Sequence, residues 1–121
     1  MLKSLCLAVA AAAMAGCAPA PDKPAFQLVT TPGQYIELVA GKPITFDNGG
    51  VLITNPDGSI GGDFNGVAPQ GRWSFESGQL CRTVTIGTEI FPEVCQSVEV
   101  GEETVRFLNP DGTLSAEAAL G

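Results

Sequence analysis

Apolar and polar residues alternate along residues 73–107, and this pattern organises the rest of the chain. An alternation with a period of two predicts antiparallel strands with one buried face and one solvated face. Pairing these strands across short turns gathers the apolar side chains on one face. They are Trp73, Phe75, Leu80, Val84, Val94, Val98, Val100, Val105 and Phe107. A shift of one residue would move the whole set to the opposite face, so the apolar pattern specifies the register.

The turns in this stretch predict which residues face each other. We place turns at Ser77-Gly78 and Gly101-Glu102, and we pair Cys81 with Cys95. The predicted neighbours are then Phe75 and Leu80, Trp73 and Arg82, Leu80 and Gln96, Arg82 and Val94, and Val98 and Val105. Residues 87–93 lack a tight-turn signal, so we expect a longer loop there.

Cys81 and Cys95 are predicted to form a structural disulfide on the polar face. Directly opposite residues of adjacent antiparallel strands lie within the Cα separation that a disulfide tolerates. The bond would close a loop of about 15 residues and stabilise the domain. A redox function would favour a Cys-x-x-Cys spacing, which this pair lacks.

The remaining chain continues the strand pattern. Strands are predicted at residues 44–46, 51–54, 59–64, 71–75, 80–86, 94–100, 104–108 and 113–120. An Asn-Pro-Asp-Gly motif occurs twice and predicts two hairpins, with Asp57 and Asp111 as turn residues rather than calcium ligands. The fold class is therefore mainly β: an antiparallel meander of about eight strands, forming a small barrel or a strongly curved sheet, with one short N-terminal helix.

That helix is predicted after Thr31, which can cap it, with Pro32 at the first helical position. Gly41 can end the helix in the left-handed conformation. A strand is the competing interpretation, because several residues of this segment favour strands. The face predicted to be buried consists of Ile36, Val39 and Ala40.

Residues 1–16 have the pattern of a signal peptide, with Lys3 before an apolar run that is too short to cross a membrane as a helix. The sequence Ala15-Gly16-Cys17 resembles the lipobox of bacterial lipoproteins, although Met14 stands where that motif usually has Leu. The resemblance implies lipidation of Cys17, which would anchor the chain in a membrane. An ordinary signal peptide cleaved after Ala15 is the alternative.

Cysteine parity favours the lipoprotein. Cys6 leaves with the signal peptide, and lipidation of Cys17 would leave Cys81 and Cys95 as an even pair. Residues 17–25 would be the lipidated Cys and a Pro-rich tether, and residues 26–121 a single β domain. In some bacterial lipoproteins an Asp directly after the lipidated Cys retains the protein in the inner membrane, but this chain has Ala18 there. The lipobox resemblance therefore implies an outer-membrane anchor facing the periplasm. A soluble periplasmic protein is the alternative.

The chain is acidic, with 13 Asp and Glu against 6 Lys and Arg, or 13 against 5 after loss of residues 1–16, a net charge of −8. This charge argues against nucleic acid and permits a basic protein partner. The chain has no His, which excludes His-based catalysis and His metal sites. We find no catalytic constellation, metal site or cofactor motif.

Arg82 and Gln96 are polar residues on the predicted apolar face. Pointing into a barrel mouth, they would bind a polar ligand, with Trp73 on the same face. Two other interpretations remain for the polar pair: tips that reach solvent, or side chains that bond to each other. Trp73 is most simply a core residue.

Several short motifs along residues 26–118 resemble a group of small exported alphaproteobacterial proteins of the Rhodobacterales type. They are Gly41-Lys42-Pro43, Pro56-Asp57-Gly58-Ser59-Ile60, Gly71-x-Trp73-x-Phe75, Cys81-Arg82, Cys95-Gln96 and Val105-Arg106-Phe107. The group often has a second Trp in place of Phe75 and an aromatic residue in place of Leu80. Its members often carry the label dihydrodipicolinate reductase, but that enzyme needs a Gly-x-Gly-x-x-Gly dinucleotide site, which this chain lacks.

The sequence therefore predicts a non-catalytic envelope lipoprotein whose disulfide-stapled β domain has a binding or structural role. One alternative is a periplasmic inhibitor of a basic enzyme such as lysozyme, suggested by the acidic charge and by a likeness in size and anchor to lysozyme-inhibiting lipoproteins. A second alternative is a calycin-like binder of a small ligand, which requires an open apolar barrel mouth.

Overall fold

The computed structural model describes residues 26–121, which form a mainly β domain with one short helix. The elements are β1 (Gln27–Val29), α1 (Pro32–Leu38), β2 (Ile44–Thr45), β3 (Val51–Thr54), β4 (Ser59–Asp63), β5 (Gln70–Glu76), β6 (Gln79–Ile86), β7 (Glu89–Val100), β8 (Thr104–Leu108) and β9 (Leu114–Leu120). The predicted signal peptide, Cys17 and the tether lie outside the described residues. Within residues 26–121, no helix is long and apolar enough to cross a membrane.

Strands β2 to β9 form a closed antiparallel barrel. Each strand pairs with the next along the chain, and the circle closes where Ile44 of β2 pairs with Leu120 of β9. The sequence left a barrel and a curved sheet as alternatives, and the barrel is confirmed. Strand β1 was not predicted: it pairs with the last residues of β7, Gln27 opposite Val100, beyond the point where β6 stops pairing with β7.

The central registers agree with the prediction. Phe75 lies opposite Leu80 in β5 and β6, and Cys81 lies opposite Cys95 in β6 and β7. The two cysteines form the predicted disulfide, with their Cα atoms 4.0 Å apart. Gln96 lies opposite Leu80, as expected from the same pairing.

The predicted pairing of Val98 with Val105 is wrong by two residues. Val98 lies opposite Phe107, because the β7–β8 turn centres on Glu102 and Glu103 rather than on Gly101 and Glu102. Since side chains alternate with a period of two, a shift of two residues keeps every side chain on its predicted face. Val98 and Phe107 are therefore both fully buried.

The long loop predicted at residues 87–93 is also wrong. A tight turn at Gly87 and Thr88 joins β6 directly to β7, and Gly87 takes the positive φ of +64° that this turn requires. The irregularity lies further along β7, where two residues, Pro92 and Glu93, face only Thr83. This bulge accommodates Pro92, which has no N–H to donate to a sheet.

Helix α1 covers one end of the barrel. Thr31 caps the helix by accepting a hydrogen bond from the Gln34 N–H, and Gly41 follows with a φ of +83°, as predicted. The predicted buried face was partly wrong: Ile36 is exposed, and the fully buried side chains are Tyr35 and Val39. The helix therefore packs with a face rotated from the predicted one.

The core fills the helix end of the barrel. The Tyr35 ring lies 4.9 Å from the Trp73 ring and 5.6 Å from the Phe75 ring, measured between centroids. The Tyr35 hydroxyl is hydrogen-bonded to the Thr54 hydroxyl at 3.0 Å, and both residues are fully buried. This end, with the β3–β4, β5–β6 and β7–β8 connections, is closed.

Candidate functional site

The opposite end of the barrel holds a cavity of about 450 Å³. This end carries the β2–β3, β4–β5, β6–β7 and β8–β9 connections. Most of the side chains around the cavity are apolar, and only one is charged. The lining residues are Phe46, Asn48, Leu52, Phe64, Arg82, Val84, Ile86, Phe91, Pro92, Val94, Gln96, Asn109 and Ser115.

A chain of hydrogen bonds crosses the cavity wall from β6 to β8. Arg82 Nη2 donates to Gln96 Oε1 at 3.0 Å, and Gln96 Nε2 donates to Asn109 Oδ1 at 3.4 Å. Gln96 is only 3% exposed, so its amide is oriented by these two neighbours. The inward-facing polar pair predicted from the sequence thus consists of two side chains that bond to each other and also line the cavity.

The second Asn-Pro-Asp-Gly turn continues this chain. Asn109 Nδ2 donates to Thr113 Oγ1 at 3.1 Å, and Thr113 Oγ1 donates to Asp111 Oδ1 at 2.6 Å. The hydroxyl and the backbone N–H of Thr113 hold the pKa of Asp111 below its usual value. The turn therefore fixes Asn109, which in turn orients Gln96 and the guanidinium of Arg82.

Arg82 is a half-buried cation with few partners. Its guanidinium carbon lies 5.3 Å from the centroid of the Phe107 ring, and its Nε is buried without a hydrogen-bond acceptor among residues 26–121. Burial lowers the pKa of Arg82, while the nearby Tyr35 acts in the opposite direction. The guanidinium group of arginine stays protonated in proteins, so Arg82 is a cation.

Arg106 provides a contrast on the outside of the barrel. Its guanidinium lies 3.8 Å from a Glu99 carboxylate oxygen and 3.6 Å from a Glu117 carboxylate oxygen, and it also packs on the Phe26 ring. Within residues 26–121, no carboxylate lies within salt-bridge distance of Arg82. The chain has 13 acidic residues, and none of those within residues 26–121 lines the cavity.

Trp73 does not line the cavity. Its ring packs against Tyr35 at the closed end, and its Nε1 donates to the Asn55 carbonyl at 2.7 Å. Cys81 and Arg82 are consecutive residues of β6, so their side chains point to opposite faces of the sheet. The disulfide therefore lies on the face away from the cavity. Of the predicted site residues, the cavity therefore brings together Arg82 and Gln96.

Exposed apolar side chains surround the open end. Ile90 is 73% exposed, Leu114 is 53% exposed, and Phe91 and Val67 are each about two-fifths exposed. All four lie in or beside the connections at this end of the barrel. Of these four, only Phe91 lines the cavity, and Ile90 and Leu114 precede the lining residues Phe91 and Ser115 in their strands and lie on the outer face.

Sequence reasoning missed Asn109 and the aromatic residues of the cavity wall. Asn109 was interpreted only as a turn residue, although it lies two positions after the inward-facing Phe107 and therefore points inward by strand alternation. Phe91 was assigned to a loop, which removed it from the predicted inward face. The period-two pattern contained a signal for Asn109 but none for Phe91, which depends on the bulge.

The chain was compared with known proteins, and no family model, curated protein or solved structure matches it. Within residues 26–121, no group of three or more His, Cys, Asp or Glu side chains is placed to hold a metal ion. The chemistry of the site therefore rests on its own geometry: a mainly apolar cavity with one cation, three amides and one hydroxyl in its wall.

Proposed function

We propose that residues 26–121 are the ligand-binding domain of an exported envelope lipoprotein, and that a small amphipathic molecule binds in the open end of the barrel. The observation that carries this proposal is the cavity of about 450 Å³, with its apolar wall and its single cation. Binding sites for small molecules have this size and character: mainly apolar walls with a few oriented polar groups.

The open volume supports binding over a purely structural role. Protein interiors are close-packed, so side chains that served only the fold would be expected to fill this end as they fill the other. An eight-stranded barrel has an interior that its own side chains can fill, or that can hold one small ligand. Here Tyr35, Trp73 and Phe75 fill the closed end, while the open end keeps its volume.

The disulfide supports export, because such bonds persist in oxidising compartments. Gln27 pairs with Val100 at the end of β7, so the chain enters the barrel at its closed end. A tether of residues 17–25, at about 3.1 Å per residue when extended, would span about 28 Å. In this proposal Cys17 anchors the closed end to the membrane, and the mouth points away from it.

A neutral fluorescent probe, N-phenyl-1-naphthylamine, tests the cavity. We expect saturable one-to-one binding to the oxidised domain, with an affinity reduced at least about tenfold in Val94→Trp, because the larger ring takes volume from the cavity. Thr83→Trp is the matched control, since Thr83 lies on the outer face of the neighbouring strand and is exposed. Equal loss in both variants, or no saturable binding by the parent, would refute a ligand-binding cavity.

Two further measurements address the anchor and the alternative function. The intact mass of protein purified from bacterial membranes should include a diacyl group on Cys17, and an unmodified chain cleaved after Ala15 would contradict the anchor. A pull-down from envelope extract tests for a protein partner. Recovery of a basic enzyme whose activity the domain inhibits would favour the inhibitor and replace the proposal made here.

A further inference from the structure

The charges at the cavity suggest which class of molecule occupies it. Among residues 26–121, Arg82 is the only charged side chain in the cavity lining, although the chain as a whole is acidic. A guanidinium has five N–H donors, and within the described residues the only acceptor for Arg82 is Gln96 Oε1, at 3.0 Å. Nε is buried, so the donors that a group entering from the cavity could meet are those of the terminal Nη atoms.

Leaving a cation in such a place has a cost. A charge that is removed from bulk water is destabilising unless it is paired and hydrogen-bonded. The outer arginine, Arg106, has two carboxylates near it, whereas Arg82 has a neutral amide and an aromatic ring. The chain thus places a cation beside the cavity without supplying the anion.

The side chains around Arg82 restrict how it can move. Gln96 is held by Asn109, and the Phe107 ring lies under the guanidinium. These contacts keep the guanidinium plane oriented before any ligand arrives, which lowers the entropy lost on binding. A planar guanidinium of this kind matches the two oxygens of a carboxylate better than an ammonium does.

We propose that the cavity binds an amphiphile with a single carboxylate head group, which pairs with Arg82 while its apolar body lies along Phe46, Phe64 and Phe91 towards the mouth. This inference rests on the proposed ligand-binding function. A singly charged head group is favoured because the lining has one cation and no second base to neutralise a phosphate dianion.

Three probes with the same alkyl chain test the inference: dodecanoate, dodecanol and dodecylamine. Each is titrated against the N-phenyl-1-naphthylamine complex, below its micelle concentration and at neutral pH. We expect the parent domain to bind dodecanoate at least about tenfold more tightly than dodecanol, since one charged hydrogen-bonded contact contributes that much. Dodecylamine should bind most weakly, because its ammonium group meets the Arg82 cation.

Arg82→Gln is the decisive variant, and Arg72→Gln is its control, since Arg72 is exposed on β5. In Arg82→Gln, dodecanoate and dodecanol should bind with affinities within about twofold of each other, because the variant loses affinity for dodecanoate. In Arg72→Gln, the preference for dodecanoate should remain. Thermal unfolding of ligand-free Arg82→Gln should occur at the same temperature as in the parent or higher, because a half-buried cation without a carboxylate partner is removed.

The outcomes distinguish this inference from the function on which it rests. Equal binding of all three probes by the parent, or a preference for dodecanoate that survives in Arg82→Gln, would overturn the carboxylate assignment and leave a general apolar site. Failure of every probe and of N-phenyl-1-naphthylamine to bind would overturn the binding function itself. If Arg82→Gln unfolds well below the parent, Arg82 is a structural residue and the assignment fails.

Discussion

Breaking the Cys81–Cys95 disulfide is expected to lower the free energy of unfolding by about 3 kcal/mol. The bond closes a loop of about 15 residues, and that figure is the loop-closure entropy it removes from the unfolded chain. The folded β6–β7 hairpin is also stabilised by the tight turn at Gly87 and Thr88 and by burial of the inward-facing Leu80 and Val84. The native fold should therefore persist without the bond, and the loss should come mainly from a less constrained unfolded state.

Urea unfolding of the oxidised parent and of Cys81→Ser/Cys95→Ser measures this difference. The fluorescence of Trp73 reports the transition, because the chain has no other Trp. With a denaturant slope of about 1–3 kcal/mol per molar for a small protein, the midpoint should fall by about 1–3 M. Cys81 is 6% exposed, so serine at this position would bury a hydroxyl group. Unfolding of Cys81→Ala/Cys95→Ala separates the cost of that hydroxyl from the loss of the disulfide. An unchanged midpoint, or two titratable thiols in the oxidised parent, would refute the reasoning.

Two other predictions concern backbone packing and pH. A methyl group added in Gly71→Ala would overlap the backbone carbonyl of Thr83, so the variant should lose about 1–3 kcal/mol of stability in the same urea assay, whereas Gly61→Ala, which meets open space, should lose less than about 1 kcal/mol. Burial raises the pKa of Tyr35 to about 12, so ultraviolet titration of this single tyrosine should have its midpoint well above the ordinary value of 10.0. Because the pKa of Tyr35 is higher in the folded than in the unfolded protein, its contribution to the free energy of unfolding is complete below pH 10 and is lost as the pH rises to about 12. A titration midpoint near 10 in the folded protein would contradict this.

The antiparallel meander could be predicted because apolar alternation and short turns are local signals that agree with each other. Whether it closes into a barrel was left open, because closure depends on the pairing of Ile44 with Leu120 at opposite ends of the domain. The register errors occurred where two neighbouring turn positions were both acceptable, as at Gly101 and Glu102. Strand β1 could not be predicted from its own three residues, because it exists only through pairing with the end of β7. The bulge at Pro92 could not be predicted from local sequence either. It depends on the pairing of β7 with β6, in which Phe91 and Val94 both face the interior although they are three residues apart.

The site was only partly predictable. Strand alternation placed Arg82 and Gln96 on the inner face, and the structure gives them that position. The same alternation placed Trp73 inside, but it gives no information about the end of the barrel where a side chain lies. That position depends on α1, whose Tyr35 packs against Trp73 and closes that end. Whether a barrel end is filled depends on side-chain volumes from many strands, which a linear pattern does not contain.

The most direct test of the central claim is an NMR titration of the oxidised domain with dodecanoate. Saturable shifts should concentrate on the cavity wall, at the amides of Phe91, Val94 and Gln96 and at the Arg82 guanidinium, and they should leave the closed end around Tyr35 unchanged. Shifts spread over the outer face of the barrel, or no saturable shifts at all, would contradict a ligand site in the open end.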